Sequence, residues 1–133
     1  ASSSAQDYTF KVTIGNRWQL NDRMLPTGQY QELSPEEEQM KQGGLSPFFA
    51  AMDNHYTSEP QDGRNRMELY DAKEEVTLVY DVGTAYKQWM IWNNNKTEGF
   101  FCPEPAEEIG LITLKPGEMF EETSRLYIVN GKL

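Results

Sequence analysis

Glu104 is the residue whose neighbours best equip it to move a proton. It ends the apolar run Phe100, Phe101, Cys102 and stands between Pro103 and Pro105. Each proline fixes its own φ and biases the residue before it toward extended backbone, so a carboxylate held between two of them has little freedom to wander. That arrangement can aim an acid or base from the end of a strand. The plainer alternative is an edge strand ending in a proline-rich turn, with Glu104 solvated. The one histidine, His55, follows Asp53 and Asn54 in M-D-N-H-Y. Such a cluster can hydrogen-bond a polyol or position a proton donor, and His55 can equally be a surface or structural residue. The one cysteine, Cys102, lies in the apolar run and reads as a buried structural thiol rather than a nucleophile.

Composition narrows the chemistry. With 12 Lys and Arg against 21 Asp and Glu, the 133 residues carry a formal charge of −9, which repels nucleic-acid backbones and anionic membranes but leaves a neutral ligand such as a sugar open. A single cysteine excludes an intrachain disulfide framework and a four-cysteine zinc site. The acidic run Glu36–Glu37–Glu38 reads as a solvated helix start rather than a metal site. No apolar run approaches the ~20 residues of a membrane-spanning helix, no leader segment is visible, and a cytoplasmic location is the expectation. The length predicts one domain, over 1–133.

The elements that must position these residues read as strands. Tyr8, Phe10, Val12 and Ile14 alternate with polar residues, a half-buried strand. Gly15-Asn16 reads as a tight turn into a second strand over 17–20, forming a hairpin. Leu25-Pro26-Thr27-Gly28 reads as another turn, followed by a strand over 29–33. Ser34-Pro35-Glu36-Glu37 opens the one helix, with Ser34 as cap and Glu37 three residues on, and Gly43-Gly44 stops it. Residues 57–66 read as a polar loop. Strands follow at 67–69, 76–82 and 86–92, an Asn93–Lys96 hairpin loop, and a return strand over 99–102. A strand over 109–114, a K-P-G-E turn at 115–118 and a last strand over 120–129 complete the series. Short strands at this spacing with one minor helix predict an antiparallel all-β sandwich.

L-P-T-G-Q (25–29), M-D-N-H-Y (52–56), M-I-W (90–92) leading into F-F-C-P-E-P (100–105), G-L-I-T-L-K-P-G-E (110–118) and S-R-L-Y-I (124–128) together resemble the aldose 1-epimerase family, the galactose mutarotase-like proteins. The resemblance implies a β-supersandwich that interconverts α and β anomers of a free aldose without metal or organic cofactor. It implies that Glu104 is the base on the anomeric hydroxyl and that Asp53 binds a sugar hydroxyl. The family's proton-donor histidine belongs to an N-terminal H-P-Y-F-like motif that nothing here matches. The chain thus resembles the C-terminal half of such a domain, with the missing half or a second copy as its expected protein partner.

Within that resemblance, partial burial of Glu104 beside Phe100 and Phe101 would make it a better base. Trp89 and Trp92 offer flat faces for a pyranose ring. They stand at alternate-direction strand positions and do not share a face, so core packing takes at least one. The expected sugar contacts are Asp53, His55 and Trp92, and the expected ligand is a monosaccharide; the few basic residues near the motifs make a sugar phosphate the weaker option. The alternative function is a non-catalytic carbohydrate-binding β-sandwich, since fold does not fix activity.

Overall fold

Thr13 is where the chain changes sheet. In the computed structural model, which describes residues 4–23, 25–93, 101–106 and 124–133, β1 (Tyr8–Val12) lies in one sheet and β2 (Ile14–Leu20) in another. After them come β3 (Pro26–Gln31), helix α1 (Pro35–Met40), β4 (Asp53–Ser58), β5 (Arg66–Asp71), β6 (Val76–Asp81), β7 (Gln88–Trp92), β8 (Cys102–Ala106) and β9 (Arg125–Asn130). The sheets run β1-β5-β6-β9 and β3-β2-β4-β7-β8, every pairing antiparallel. The core lies between them: Phe10, Val12 and Met67 from the first sheet meet Ile14, Tyr56, Trp89 and Ile91 from the second. The all-β sandwich is therefore the fold, with one short α-helix among the described residues.

The expected hairpin at Gly15-Asn16 does not form. Both residues are extended within β2, which pairs with β3 and β4 rather than with β1. The reason is local. A side chain at Gly15 would put its Cβ 2.6 Å from Thr57 Oγ1, so glycine is there for close strand approach rather than for a turn. The Asn16 N–H donates to the same Thr57 hydroxyl at 2.8 Å. The real turn comes later, where Asn21 Oδ1 accepts from the N–H groups of Arg23 and Leu25 at 2.8 and 3.1 Å. Pro26, Thr27 and Gly28, read as a turn, instead begin β3, an edge strand of the kind that tolerates proline.

Buried amides tie the loops to the sheets. Asn65, at the end of the expected polar loop, is fully buried; its Oδ1 accepts from the Thr13 hydroxyl at 2.7 Å and from the Trp89 indole at 2.9 Å. Its amide donates to the Tyr86 and Gly83 carbonyls at 3.0 and 3.3 Å. The turn proper is confined to Gln61–Arg64, where Asp62 and Gly63 take positive φ. Asn93, the one described residue of the expected 93–96 hairpin loop, is also buried, and braces residues 47–52 through the Met52 N–H (2.9 Å) and the Ala50 carbonyl (2.7 Å). The expected strand at 109–114, the K-P-G-E turn, and Gly99 and Phe100 lie outside the described residues. At the other edge, Leu126 and Ile128 of β9 share the face of Leu78 and Tyr80 yet remain 67% and 66% exposed.

Helix α1 begins as the sequence predicts. Ser34 Oγ accepts from the Glu37 N–H at 3.1 Å, and Glu37 Oε1 accepts from the Ser34 N–H at 3.1 Å, a reciprocal cap with Pro35 in the first turn. Glu37 is not solvated, however: it is 3% exposed. Its carboxylate accepts from the Tyr56 hydroxyl at 2.6 Å and from Arg17 Nη1 at 3.2 Å, while Arg17 Nη2 donates to Asn54 Oδ1 at 3.1 Å. A carboxylate loses too much hydration on burial to survive without such partners, and here the helix start, β2 and β4 supply them together.

Burial, then the hydrogen bond to Glu37 and its charge, push the Tyr56 phenol far above its ordinary value. The folded chain thus holds this proton to higher pH than the unfolded chain does. The stability involved is fully present below about pH 10 and is lost as pH climbs beyond it. Denaturant unfolding on either side of about pH 10 should show stability falling with a shallower slope in Tyr56→Phe than in the parent. Equal slopes would remove Tyr56 from the alkaline transition.

Candidate active site

Strand register decides which of the chemically interesting residues meet. Along β4 and β7, Asp53 pairs with Trp92 and His55 with Met90; along β7 and β8, Trp92 pairs with Cys102 and Met90 with Glu104. Directly opposed residues share a face, and alternate residues of a strand return to it. Asp53, His55, Trp92 and Glu104 therefore stand on one face, the one turned away from the core. The other face carries Tyr56, Trp89 and Ile91, all buried. The two tryptophans divide as alternation requires: Trp89 is core, and Trp92 is 39% exposed.

Across the outer face the order is Glu104 on β8, Trp92 on β7, and Asp53 with His55 on β4. Two strand spacings, about 10 Å, separate β8 from β4. Glu104 is centred in β8 rather than at the end of the strand over 99–102 that the sequence suggested. The prolines on either side of it are compatible with a strand because β8 is the sheet edge among the described residues. Glu104 is exposed and not half-buried, since its neighbours Pro103 and Pro105 take the inward face and leave it on the outer one. Asp53 is exposed, and His55 and Cys102 are half-buried, so the thiol is less enclosed than a core position would make it.

A cleft of about 550 Å³ opens beside Asp53 and Trp92, lined also by Arg17, Trp18, Asn21 and Gln31. It lies past Arg17–Tyr56, the last register pair between β2 and β4, where the two strands part. Sequence reasoning missed Arg17 and Trp18. Trp18 follows Arg17, whose side chain turns inward to Glu37, and so points to the outer face, where its ring packs on Tyr30 with centroids 4.7 Å apart. A strand tryptophan beside an arginine was a visible signal, but only the pairing with β4 brings it to Asp53. The Trp18 indole N–H is buried and meets no acceptor among the described residues.

Chemically, the face presents two exposed carboxylates, Glu104 and Asp53, with the Trp92 indole on the strand between. Arg17 brings no unbalanced positive charge to the cleft, because Glu37 neutralises it. Among the described residues no three His, Cys, Asp or Glu side chains are grouped to hold a metal ion, and no helix is long and apolar enough to cross a membrane.

Comparison with known proteins bears on the family and the fold. A model of the aldose 1-epimerase family matches residues 1–127. The crystal structure of a galactose mutarotase-like protein from Clostridium acetobutylicum superposes with a TM-score of 0.82 at 23% identity, covering 97% of this chain and 43% of its own. At that identity the likeness speaks for the fold. This chain spans less than half the length of that structure.

Proposed function

This chain belongs to the aldose 1-epimerase family, and on that premise we propose that the protein carrying it interconverts the α and β anomers of a free aldose by acid–base ring opening and closure. One observation supports the reading most: Glu104, Trp92 and Asp53 follow one another on adjacent strands of a single face. A pyranose lying against the Trp92 indole has Asp53 on one side for its hydroxyls and Glu104 on the other for its anomeric carbon. Glu104 takes the proton from O1; the electron pair left on O1 forms the C1=O1 bond as the C1–O5 bond breaks, and O5 accepts a proton from an acid. Rotation about C1–C2 presents the other face of the aldehyde to O5. Reversing both proton transfers then closes the ring as the other anomer.

Glu104 in this reading is the base, and Asp53, His55 and Trp92 hold the sugar. In this reading the acid comes from the part of the family fold outside this chain, and the exposed Leu126 and Ile128 of β9 suit a place for that part to pack. The parent is then an isomerase of carbohydrate metabolism acting on a monosaccharide. A second reading, a carbohydrate-binding sandwich without catalysis, is favoured by one observation, the open exposure of Glu104.

Asp53→Asn separates recognition from chemistry. The amide keeps the shape but loses the charge that strengthens hydroxyl hydrogen bonds, a loss of about 1–2 kcal/mol or roughly tenfold in affinity. In polarimetry on a freshly dissolved pure anomer, with the spontaneous rate subtracted, KM should rise about tenfold with kcat changed far less. A kcat defect with KM unmoved would remove Asp53 from hydroxyl recognition.

A further inference from the structure

The sandwich has a second recess, on the outer face of the other sheet and so across the core from Glu104. Lys11 of β1 alternates with Phe10 and Val12, and Arg66 and Glu68 of β5 alternate around Met67. Phe10, Val12 and Met67 face the core, so the three charged side chains share the outer face. With Gln61, Asp62 and Arg64, from the turn before β5, they line a cavity of about 320 Å³.

The charges around this cavity do not cancel. Lys11 stands directly opposite Glu68 in the register of β1 and β5, near enough for an ion pair. Glu68 is taken by Arg66 instead, with Nη2 2.9 Å from Oε1, and that pair is largely enclosed, Arg66 being 24% and Glu68 10% exposed. Among the described residues the side chains of Lys11 and Arg64 enter no hydrogen bond or ion pair, and Asp62 is the one acid left to balance them. The recess therefore holds a net positive charge on a chain whose formal charge is −9. Lys11 is half-buried and backed by the turn after α1, which passes so near that a Cβ on Gly43 would sit 3.6 Å from Lys11 Cβ. A backed stem loses less freedom when its ammonium group is held by a ligand.

We infer that this recess is an anion site that takes a phosphate group, either free or as the monoester of a small metabolite. Arg64 presents a planar fork that matches two phosphate oxygens, and Lys11 adds a compact charge for a third. The Gln61 amide supplies a neutral donor beside them. A volume near 320 Å³ is at the low end for small-molecule pockets and leaves space beyond the phosphate for a few carbons. The site is independent of Glu104 and of the sheet that carries it.

Isothermal titration calorimetry of this chain with inorganic phosphate and with glycerol 3-phosphate, ionic strength held by sodium chloride, tests the site. At least one of the two should bind with a Kd of about 1 mM or tighter, while glycerol gives no binding heat. Lys11→Gln and Arg64→Gln should each weaken binding about tenfold, the loss of one charge-assisted contact. Asp62→Asn should tighten it about twofold by removing a repelling charge, and asparagine tolerates the positive φ at that position. Arg23→Gln removes the same charge from the turn at the far end of β2 and should change the affinity by less than about twofold, since salt screens so distant a charge. Equal or tighter binding of inorganic phosphate upholds the site for the free ion, and tighter binding of glycerol 3-phosphate upholds it for a monoester. No binding of either up to about 10 mM overturns the site. So does binding that Lys11→Gln and Arg64→Gln leave unchanged, or that Arg23→Gln weakens as much as they do.

Discussion

Glu104→Gln should lower mutarotation by about 10²–10⁴-fold in a protein that joins this sequence to the remainder of the family fold, the range one positioned acid or base supplies. Glutamine fills the same space and keeps the hydrogen-bonding reach, but it cannot accept the O1 proton. Because Glu104 is exposed and its side chain, among the described residues, enters no hydrogen bond or ion pair, the substitution should leave the unfolding midpoint close to that of the parent. That separation makes the experiment clean. Polarimetry should show lost kcat, with sugar affinity kept through Asp53 and Trp92. Undiminished catalysis by Glu104→Gln would falsify the assignment of the base. On the proposed reading, the 133-residue chain by itself should show little mutarotation; full activity would mean that the acid is here, with His55 as the first group to substitute.

Glu37→Ala should have the largest effect on stability. Removing the carboxylate strands the Arg17 guanidinium and the Tyr56 hydroxyl and deletes one arm of the helix cap. Breaking a buried pair in this way costs about 3–5 kcal/mol. The lower end applies here, because Arg17 is partly open to the cleft and can recover some hydration. A loss near 3 kcal/mol is a large share of the 5–15 kcal/mol that holds a typical domain together, and it should appear as a clear drop in the denaturant midpoint at constant slope. Replacing the whole cluster by apolar groups (Arg17→Met, Glu37→Leu, Tyr56→Phe) should recover part of the loss, since no charge is then left unpaired. A Glu37→Ala protein within about 0.5 kcal/mol of the parent, the scatter of ordinary surface substitutions, would mean that the network contributes little. The cluster also has a functional side. Asn54 and Tyr56 alternate along β4 with Asp53 and His55, so the network anchors the strand whose other face carries the two proposed sugar contacts.

The sequence by itself determined the class of fold, the helix start and the alternation of Trp89 and Trp92. These follow from interactions within a few residues: period-two burial, a Ser34–Glu37 cap, and the strict reversal of side-chain direction along a strand. Asp53 and Glu104 could be singled out from their short contexts, whereas their place on one sheet face follows from register.

Only the tertiary structure decided which strands pair. Gly15-Asn16 has the composition of a hairpin turn, yet the chain crosses between sheets instead, because Thr57 and Asn65 offer partners that are far away in sequence and adjacent in space. Glu37 reads as one of three solvated acids until Arg17 and Tyr56 close over it. Trp18 reads as an ordinary strand residue until β2 is laid beside β4 and its ring becomes a wall of the cleft beside Asp53. In each case the local pattern fixes the direction of a side chain, while its partner is set by long-range register. Register depends on which pairing buries the most apolar surface and leaves the fewest polar groups unpaired, a property of the whole sandwich that no short stretch contains.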